Sequence, residues 1–404
     1  MNCLCCGISR REFLKLTTLF STSALLTLAS NGCDNAQTLK SFQATNTDKQ
    51  PVRIGYLPIV DAAPLLVAHA KELYQAEGLS ADPPRRFRSW IQLVEAFQTR
   101  QVNVIHMLMP AALWMRYAHK FPAKIVAWNH TNGSALTVLP TIDKLEELGG
   151  QTIAVPFWYS IHNVVLQLML KQHGLTAVIK PRNAVVNQDE VNLVLLPPPD
   201  MVSALSNRII AGYIVAEPFN AEAENLQVGK VLRFVGDVWK DHACCVVLMH
   251  EEDVTQRRDW TQQVVNALVK SQQWMRGNRP EVAYILSKDG GKYTPHPLPV
   301  LQRVLTYYDS DFYRRQGAIT HPDWRVNRID FQPYPFPSYT AELVRLLQQT
   351  RLEGDVAFLE QLQPEQVARE LVDDSFVKQA LQQVGGPQSF GLALNLLRTE
   401  TIQV

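Results

Sequence analysis

Residues 151–174 read QTIAVPFWYSIHNVVLQLMLKQHG, and the rest of the chain is organised around this stretch. Its β-rich residues 152–155 follow a Gly149-Gly150 turn and stop at Pro156, which predicts a short strand. Apolar residues then recur at helical spacing from Val164 to a terminating Gly174, which predicts a long amphipathic helix. A strand, a loop and a helix in this order predict one repeating unit of an α/β sheet.

The loop between this strand and helix carries polar groups that suit a small anion. Ser160, His162 and Asn163 stand at the start of the predicted helix. The first turn of a helix has unpaired backbone N–H groups and a partial positive charge, so a hydroxyl and an imidazole placed there favour anion binding. The alternative is structural: Ser160 or Asn163 caps the helix and His162 packs beneath it.

The same alternation of strand, loop and helix extends outward from this stretch in both directions. Strands are predicted at 52–56 and 102–107 before it and at 191–195 and 211–215 after it. The alternation predicts parallel strands, with ligand chemistry in the loops at their carboxyl ends. The apolar residues 246–249 can return the chain to the first sheet. The predicted fold class is therefore α/β, with two doubly wound lobes around a cleft and a helical C-terminal extension.

The domain boundaries follow from this pattern. We expect a signal peptide at 1–32, a tether at 33–50, the first part of lobe 1 at 51–138, lobe 2 at 139–245, the return to lobe 1 at 246–345 and the helical extension at 346–404.

The N-terminus carries a specific signal for export. Ser9-Arg10-Arg11-Glu12-Phe13-Leu14-Lys15 precedes an apolar, uncharged run at 16–29 and resembles a twin-arginine signal, which directs folded proteins across a bacterial inner membrane. The run is shorter than the roughly 20 residues that a membrane span needs. Cys33 follows in a context similar to a lipoprotein cleavage site. We expect lipidation at Cys33, and hence a periplasmic protein anchored to the outer face of the inner membrane.

The numbers of charged residues and of cysteines exclude further classes of protein. Without residues 1–32 the chain has 36 basic and 37 acidic residues, so nothing indicates a nucleic-acid partner. Only the adjacent Cys244 and Cys245 remain after Cys33, which gives neither a disulfide framework nor a spaced metal-ligand set. Side chains alternate on a strand, so the favoured interpretation places these two cysteines on opposite faces. A vicinal disulfide is the alternative.

An enzyme is a competing class with little support in the sequence. Several histidines, and Cys244 or Cys245 as a nucleophile, would supply the necessary groups. However, the chain contains no Gly-x-Ser-x-Gly, no His-Glu-x-x-His and no phosphate loop. We therefore expect a non-enzyme that needs no cofactor and no metal.

Six segments in order carry a resemblance to a known family. They are GYLPIVDAAPLLVAHAKELYQAEGL at 55–79, FRSWIQLVEAF at 87–97, NHTNGSALT at 129–137, YSIHNVVLQ at 159–167, PPPDMV at 197–202 and GYIVAEPFNAEA at 212–223. Together they resemble the periplasmic solute-binding proteins of the cyanobacterial nitrate and bicarbonate ABC importers, within the nitrate/sulfonate/taurine group. The resemblance implies a type II periplasmic-binding-protein fold that closes on a small oxyanion, acts as a monomer and presents the solute to the transmembrane subunits of an ABC permease.

The resemblance also implies roles for particular residues. Trp90 matches the family's tryptophan beside the anion, and His162 matches its ligand histidine. Ser134 stands where nitrate binders have an amide, and Cys245 stands where they have a cationic lysine. Losing that lysine removes a charge-assisted hydrogen bond of roughly 1.5–3 kcal/mol, which makes nitrate a poor solute.

The solute is therefore left open between two classes. One is a bicarbonate- or sulfonate-like oxyanion. The other is a neutral or aromatic nitrogenous molecule, such as a thiamine-precursor pyrimidine, stacked on Trp90, Trp158 or Tyr159 with Glu217 accepting from its amino group. The residues expected to bind the solute are Trp90, His162, Ser134, Asp61, Ser160, Glu217 and Cys245.

Overall fold

The computed structural model describes residues 50–181 and 184–404. The predicted signal peptide, the lipidation site Cys33 and the tether up to residue 49 lie outside the described residues. Within the described residues, no helix combines the length and the apolar character needed to cross a bilayer.

The strands begin and end close to the predicted positions. They are β1 Ile54–Tyr56, β2 Arg85–Arg86, β3 Val104–Leu108, β4 Ala123–Trp128, β5 Thr131–Asn132, β6 Ser134–Val138, β7 Thr152–Val155, β8 Thr176–Val178, β9 Glu190–Leu195, β10 Gly212–Ala216, β11 Lys230–Phe234, β12 Cys245–His250 and β13 Ile329–Asp330. Five of these strands were not predicted from the sequence: β2, β5, β8, β11 and β13.

The helices account for most of the remaining described residues. They are α1 Ala63–Ala70, α2 Leu73–Ala76, α3 Trp90–Gln98, α4 Met109–Tyr117, α5 Ile161–Gln172, α6 Pro198–Ser206, α7 Phe219–Asn225, α8 Glu251–Gln256, α9 Arg258–Gly277, α10 Arg279–Leu286, α11 Leu298–Leu305, α12 Ser310–Arg315, α13 Pro337–Leu347, α14 Ala357–Glu360, α15 Pro364–Leu371 and α16 Ser375–Gln383.

The strands of the described residues form two main sheets, one for each lobe. Lobe 1 has the order β2-β1-β3-β12-β4, and lobe 2 has the order β11-β6-β10-β7-β9-β8. A short ribbon joins β5 to β13. The strand β3 is buried along its whole length, as expected for a central strand covered on both faces.

The expectation of parallel strands is correct for only part of each sheet. In lobe 1, β12 runs antiparallel to both β3 and β4, and in lobe 2, β6 runs antiparallel to both β10 and β11. A parallel neighbour requires a crossover connection that returns the chain to the same end of the sheet. Since β6 and β12 each enter their sheet directly from the other lobe, no such crossover precedes them and they run in the opposite direction.

The chain crosses between the lobes at two places, and one of them differs from the predicted boundary. Lobe 1 was expected to continue to residue 138, but β6 already belongs to the sheet of lobe 2. The first crossing therefore occupies residues 129–133, and the second lies between β11 and β12. The two crossings touch, because the Asn132 amide donates to the His242 carbonyl over 2.9 Å.

Most of the residues after 346 pack against lobe 1, whereas Arg351 and Glu353 contact lobe 2. Helix α16 lies on α9 and β4, and α15 lies on α13. Beyond Gln383 the chain forms a single 3-10 turn at Pro387–Phe390 and ends with a bridge between Ile402 and Trp239. The expected extension is thus helical in its first part and irregular in its last residues.

Candidate functional site

The start of α5 is built as the sequence predicts, and Ser160 is its cap. The Ser160 hydroxyl accepts the Asn163 amide N–H over 3.1 Å and donates to the Phe157 carbonyl over 2.7 Å. A side chain in this position satisfies one of the four unpaired N–H groups of the first turn. The only hydrogen-bond donor of Ser160 is thereby used within the protein, which favours the structural alternative for this residue.

His162 lies in the first turn of α5 and faces the first residue of β6. Its Nε2 is 2.9 Å from the Ser134 hydroxyl, and both side chains are buried. Its Nδ1 has no hydrogen-bond partner among the described residues. Two of the residues expected to bind the solute are therefore in contact, at the edge of lobe 2.

Lobe 1 contributes an acidic group to the same region. Asp61 lies in a 3-10 turn, Val60–Ala62, that follows β1, and its carboxylate is fully buried. Nε2 of His130, in the first crossing, is 3.0 Å from Oδ2 of Asp61. The contact is not aligned as a hydrogen bond, since neither Asp61 oxygen has such a partner among the described residues. The Cys245 amide N–H instead points at the same His130 nitrogen over 3.3 Å.

The two cysteines lie together at the end of the second crossing. Both are buried free thiols, and their sulfur atoms are 3.9 Å apart. The expectation that they point to opposite faces was wrong, because β12 begins at Cys245 and strand alternation does not extend to Cys244. The Cys244 sulfur lies 3.8 Å from Nε2 of His162, so this crossing connects the two sides of the site.

Burial and mutual contact shift the pKa values of Asp61 and His130. Burial raises the pKa of Asp61 to about 6, against the attraction of His130. Burial by itself would lower the pKa of His130, but the Asp61 carboxylate raises it to about 10. At neutral pH the pair is therefore a buried carboxylate beside an imidazolium. His130 thus supplies a positive charge, at a position other than that of the missing lysine.

The two thiols differ in their ionisation. Burial alone would raise the pKa of Cys244, but hydrogen bonding by Cys245 and the nearby His162 and His130 bring it well below its usual value. Burial and the neighbouring Cys244 sulfur raise the pKa of Cys245. Cys244 is therefore the more acidic of the two thiols, a difference that was not expected from the sequence.

Trp90 lies at the edge of the cluster, where its ring packs against that of His106. It is the first residue of α3, behind the Ser89 cap, and its ring lies 5.3 Å from that of His106. His106 Nε2 accepts the Leu57 amide N–H over 2.8 Å, and burial lowers the His106 pKa to about 3, so the ring is neutral. The Trp90 Nε1 donor is buried without a partner among the described residues.

Buried polar atoms that lack a hydrogen-bond partner among the described residues concentrate in this region. They include Oδ1 and Oδ2 of Asp61, Nε1 of Trp90, Nδ1 of His106, Nδ1 of His130, Nδ1 of His162 and Nε2 of His242. Such atoms are uncommon in folded proteins because each costs free energy, and their clustering is typical of a place where a ligand or ion binds.

Glu217, Trp158 and Tyr159 already have partners within the protein. The Glu217 carboxylate lies 2.7 Å from Arg328, which also pairs with Glu224. Trp158 donates to a Glu353 oxygen over 2.8 Å, and Tyr159 stacks on Trp114 at 5.7 Å. Arg328 is both charged and hydrogen-bonded to Glu217, whereas neither Asp61 oxygen has a hydrogen-bond partner among the described residues, and this weakens the predicted role of Glu217 as a solute acceptor.

A separate cavity touches the site at one residue. It has a volume of about 270 Å³, and its lining includes Ser134, Phe234, Tyr308 and Arg328. Of the residues expected to bind the solute, only Ser134 lines it, and the unpartnered atoms of Asp61, Trp90 and His162 do not. We therefore place the candidate site at the His162, Asp61 and Cys244 contacts rather than in this cavity.

Sequence reasoning missed three residues of the site. His130 and His106 were counted only among the histidines that an enzyme would need, and Cys244 was considered only as a nucleophile or as half of a vicinal disulfide. His130 directly follows a strand at the start of the first crossing, and Cys244 precedes the strand that ends the second crossing. A rule that looks for polar residues at both crossings would have found these two, whereas His106 lies within a fully buried strand and gives no such signal.

Comparisons with known proteins support the architecture. The model of the NMT1-like family matches residues 45–287. The nitrate/nitrite-binding protein of Nostoc sp. is 24% identical over 374 residues, which cover 82% of this chain and 81% of that protein.

Two solved structures have a similar fold. The periplasmic nitrate-binding protein of Synechocystis superposes with a TM-score of 0.67 at 16% identity, over 84% of this chain and 90% of that one. The ligand-binding component of an ABC-type import system from Staphylococcus aureus, solved with zinc bound, gives 0.61 at 24% identity, over 82% and 99%. These likenesses show the fold alone, and they confirm the bilobal periplasmic-binding-protein architecture that the sequence predicts.

Proposed function

Because this chain belongs to the NMT1-like family, we propose that it is the solute-binding subunit of an ABC importer. It would capture a small oxyanion-like solute between its two lobes and deliver it to the permease. The proposal includes a periplasmic location, export by the twin-arginine signal and anchoring through Cys33.

One observation carries this proposal: buried polar atoms without partners meet at the junction of the lobes. Lobe 2 contributes His162 and lobe 1 contributes Asp61 and Trp90. A solute-binding protein of two lobes needs such groups on both sides, since the solute then stabilises the closed arrangement by contacting both. Burial of unpaired polar atoms is costly unless a ligand completes their hydrogen bonds.

The charges around His162 favour some oxyanions over others. Ser134, His162 and the His130 imidazolium can donate hydrogen bonds to solute oxygens. The Asp61 carboxylate can only accept, so it repels a permanently charged anion such as nitrate. A bicarbonate-like oxyanion carries its own hydroxyl and can donate to Asp61. We therefore favour a hydroxyl-bearing oxyanion.

The aromatic nitrogenous solute receives less support. Two of its three expected stacking residues, Trp158 and Tyr159, have protein partners, and its expected acceptor Glu217 pairs with Arg328. Trp90 remains available to either class of solute.

A thermal-shift panel separates these classes. A true solute at 100 times its dissociation constant raises the unfolding free energy by about 2.7 kcal/mol. We expect bicarbonate to shift the midpoint more than nitrate, an alkanesulfonate or an aminopyrimidine. No shift with any oxyanion, or a shift with the aminopyrimidine alone, would overturn the proposed solute class.

A further inference from the structure

Four potential metal ligands converge where the first loop of lobe 1 meets both crossings. One ligand atom from each of Asp61, His130, Cys244 and Cys245 lies within 4.8 Å of all the others. All four residues are buried. Three separate segments of the chain supply them, so the convergence is a product of the fold and not of local sequence.

The distances between the ligand atoms are close to those in a tetrahedral metal site. With Zn–S bonds of about 2.3 Å, the two sulfurs of a tetrahedral zinc site lie about 3.8 Å apart. The Cys244 and Cys245 sulfurs are 3.9 Å apart. Bonds of about 2.0–2.1 Å to nitrogen and oxygen put those two atoms about 3.3 Å apart, and Nε2 of His130 lies 3.0 Å from Oδ2 of Asp61. All of the remaining distances are at most 4.8 Å, against about 3.6 Å between sulfur and nitrogen or oxygen in such a site.

The Asp61 carboxylate provides an independent reason to expect a cation. It is fully buried, and neither of its oxygens has a hydrogen-bond partner among the described residues. Glu217, the other fully buried carboxylate near the junction, has Arg328 at 2.7 Å. A buried carboxylate whose oxygens lack hydrogen bonds is costly, and a cation bound by Asp61, the two sulfurs and His130 in its neutral form would complete the coordination of the carboxylate.

The chemistry of the four ligands selects the type of ion. Two thiolates with an imidazole and a carboxylate favour a borderline-soft transition metal, whereas Ca²⁺ and Mg²⁺ take oxygen ligands. We propose that Asp61, His130, Cys244 and Cys245 together bind one Zn²⁺-class cation. With four protein ligands the site is of the closed structural type, and the ion ties the first loop of lobe 1 to both crossings.

This site goes beyond the proposed solute-binding function and does not depend on it. The two sites share Asp61 and His130, so a bound ion would take these two groups from the solute and leave it His162 and Ser134. Metal binding can therefore be measured with no solute present, and solute binding can be measured as a separate quantity. Failure of metal binding leaves the solute proposal as stated, whereas metal binding would remove the Asp61 argument for a hydroxyl-bearing solute but not the contact at His162.

The experiment uses the purified mature chain, reduced and freed of metal with a chelator. Titration with Co²⁺ should give thiolate-to-cobalt charge-transfer absorption that saturates at one equivalent, and calorimetry with Zn²⁺ should give the same stoichiometry. This measurement needs no variant, so it is unaffected by misfolding. Absence of the thiolate absorption, or a vicinal disulfide that persists after mild reduction, would overturn the proposal.

Matched variants then assign the ligands. Cys244→Ser, Cys245→Ser and His130→Gln should each weaken Zn²⁺ binding by about 100-fold or more, since each removes one of four bonds to the ion. His250→Gln replaces a buried histidine of β12 outside the cluster and should leave Zn²⁺ affinity unchanged. Unchanged affinity in both cysteine variants, or equal loss in His250→Gln, would contradict the assignment.

Discussion

The hydroxyl of Ser134 lies 2.9 Å from Nε2 of His162, although 28 residues separate them in the chain. Ser134 is the first residue after the first crossing, and His162 lies in the first turn of α5. The contact exists because β6 and α5 start at the same edge of the lobe 2 sheet. It fixes the His162 ring, so that its unpartnered nitrogen is held in place before a solute arrives.

The first prediction concerns this hydrogen bond. Ser134→Ala should weaken binding of the transported oxyanion by about three- to tenfold, since a hydrogen bond contributes roughly 0.5–1.5 kcal/mol and 1.4 kcal/mol is about tenfold. Calorimetry with bicarbonate measures the change. Ser203→Ala, on the exposed part of α6, serves as the control and should bind like the parent. Equal affinities for parent and Ser134→Ala would show that the contact has no role in binding.

The second prediction concerns the buried Arg328 network. Arg328 pairs with Glu217 at 2.7 Å and Glu224 at 3.2 Å, and Arg328→Met would leave both carboxylates without that charge. We expect the unfolding free energy to fall by about 3–5 kcal/mol in urea titrations. Adding Glu217→Gln should recover part of this loss.

A surface pair provides the control for this network. Arg314 and Asp311 are 3.2 Å apart and more than half exposed, so Arg314→Met should cost at most about 1 kcal/mol. Similar losses in Arg314→Met and Arg328→Met would contradict the account of the network.

The third prediction concerns acid stability. His250 stacks on Phe97 at 4.1 Å, and burial lowers its pKa to about 4, whereas an unfolded histidine titrates near 6.5. As the pH falls from 6.5 towards 4, the unfolded state takes up the proton first and the folded state loses stability. The full contribution is roughly 3 kcal/mol at about 1.4 kcal/mol per pKa unit.

His250→Phe tests this assignment because it keeps the stacking without the titration. Urea titrations at pH 7 and pH 4.5 should show a smaller loss of stability in His250→Phe than in the parent. Identical losses in the two proteins would mean that another group causes the acid sensitivity.

Much of the fold and part of the site could be predicted from the sequence. The strand, loop and helix of residues 151–174, the Ser160 cap and the return of β12 to lobe 1 depend on local patterns, and the structure confirms them. The direction of β6 depends on where the chain crosses between lobes, which no local pattern encodes.

The limits of sequence reasoning are clearest for the charges of the site. The family resemblance implies that Cys245 replaces a lysine, but the sequence does not show that His130 comes within 3.0 Å of Asp61. That contact joins a loop of lobe 1 to a crossing 69 residues later, so the partner that gives each residue its charge state is a product of the tertiary fold.

The fourth prediction concerns export. Changing Arg10 and Arg11 to Lys should retain the precursor in the cytoplasm, because the paired arginines are the feature that resembles a twin-arginine signal. Fractionation and immunoblotting of the parent and the double variant measure this. Unaltered processing and location would contradict the export assignment.

Cys33→Ser provides the companion variant for the anchor. It should still be exported, but it should be found in the soluble periplasmic fraction rather than with membranes. A Cys33→Ser protein that remained on membranes would exclude lipidation at Cys33 as the anchor.

The most direct test of the central claim is calorimetric titration of bicarbonate into the parent and into His162→Ala. His173→Ala, at the opposite end of α5, is the matched control. The account predicts saturable binding at one solute per chain in the parent and in His173→Ala, with weaker binding of nitrate, and loss of binding in His162→Ala. Full binding by His162→Ala, or tight nitrate binding by the parent, would contradict it.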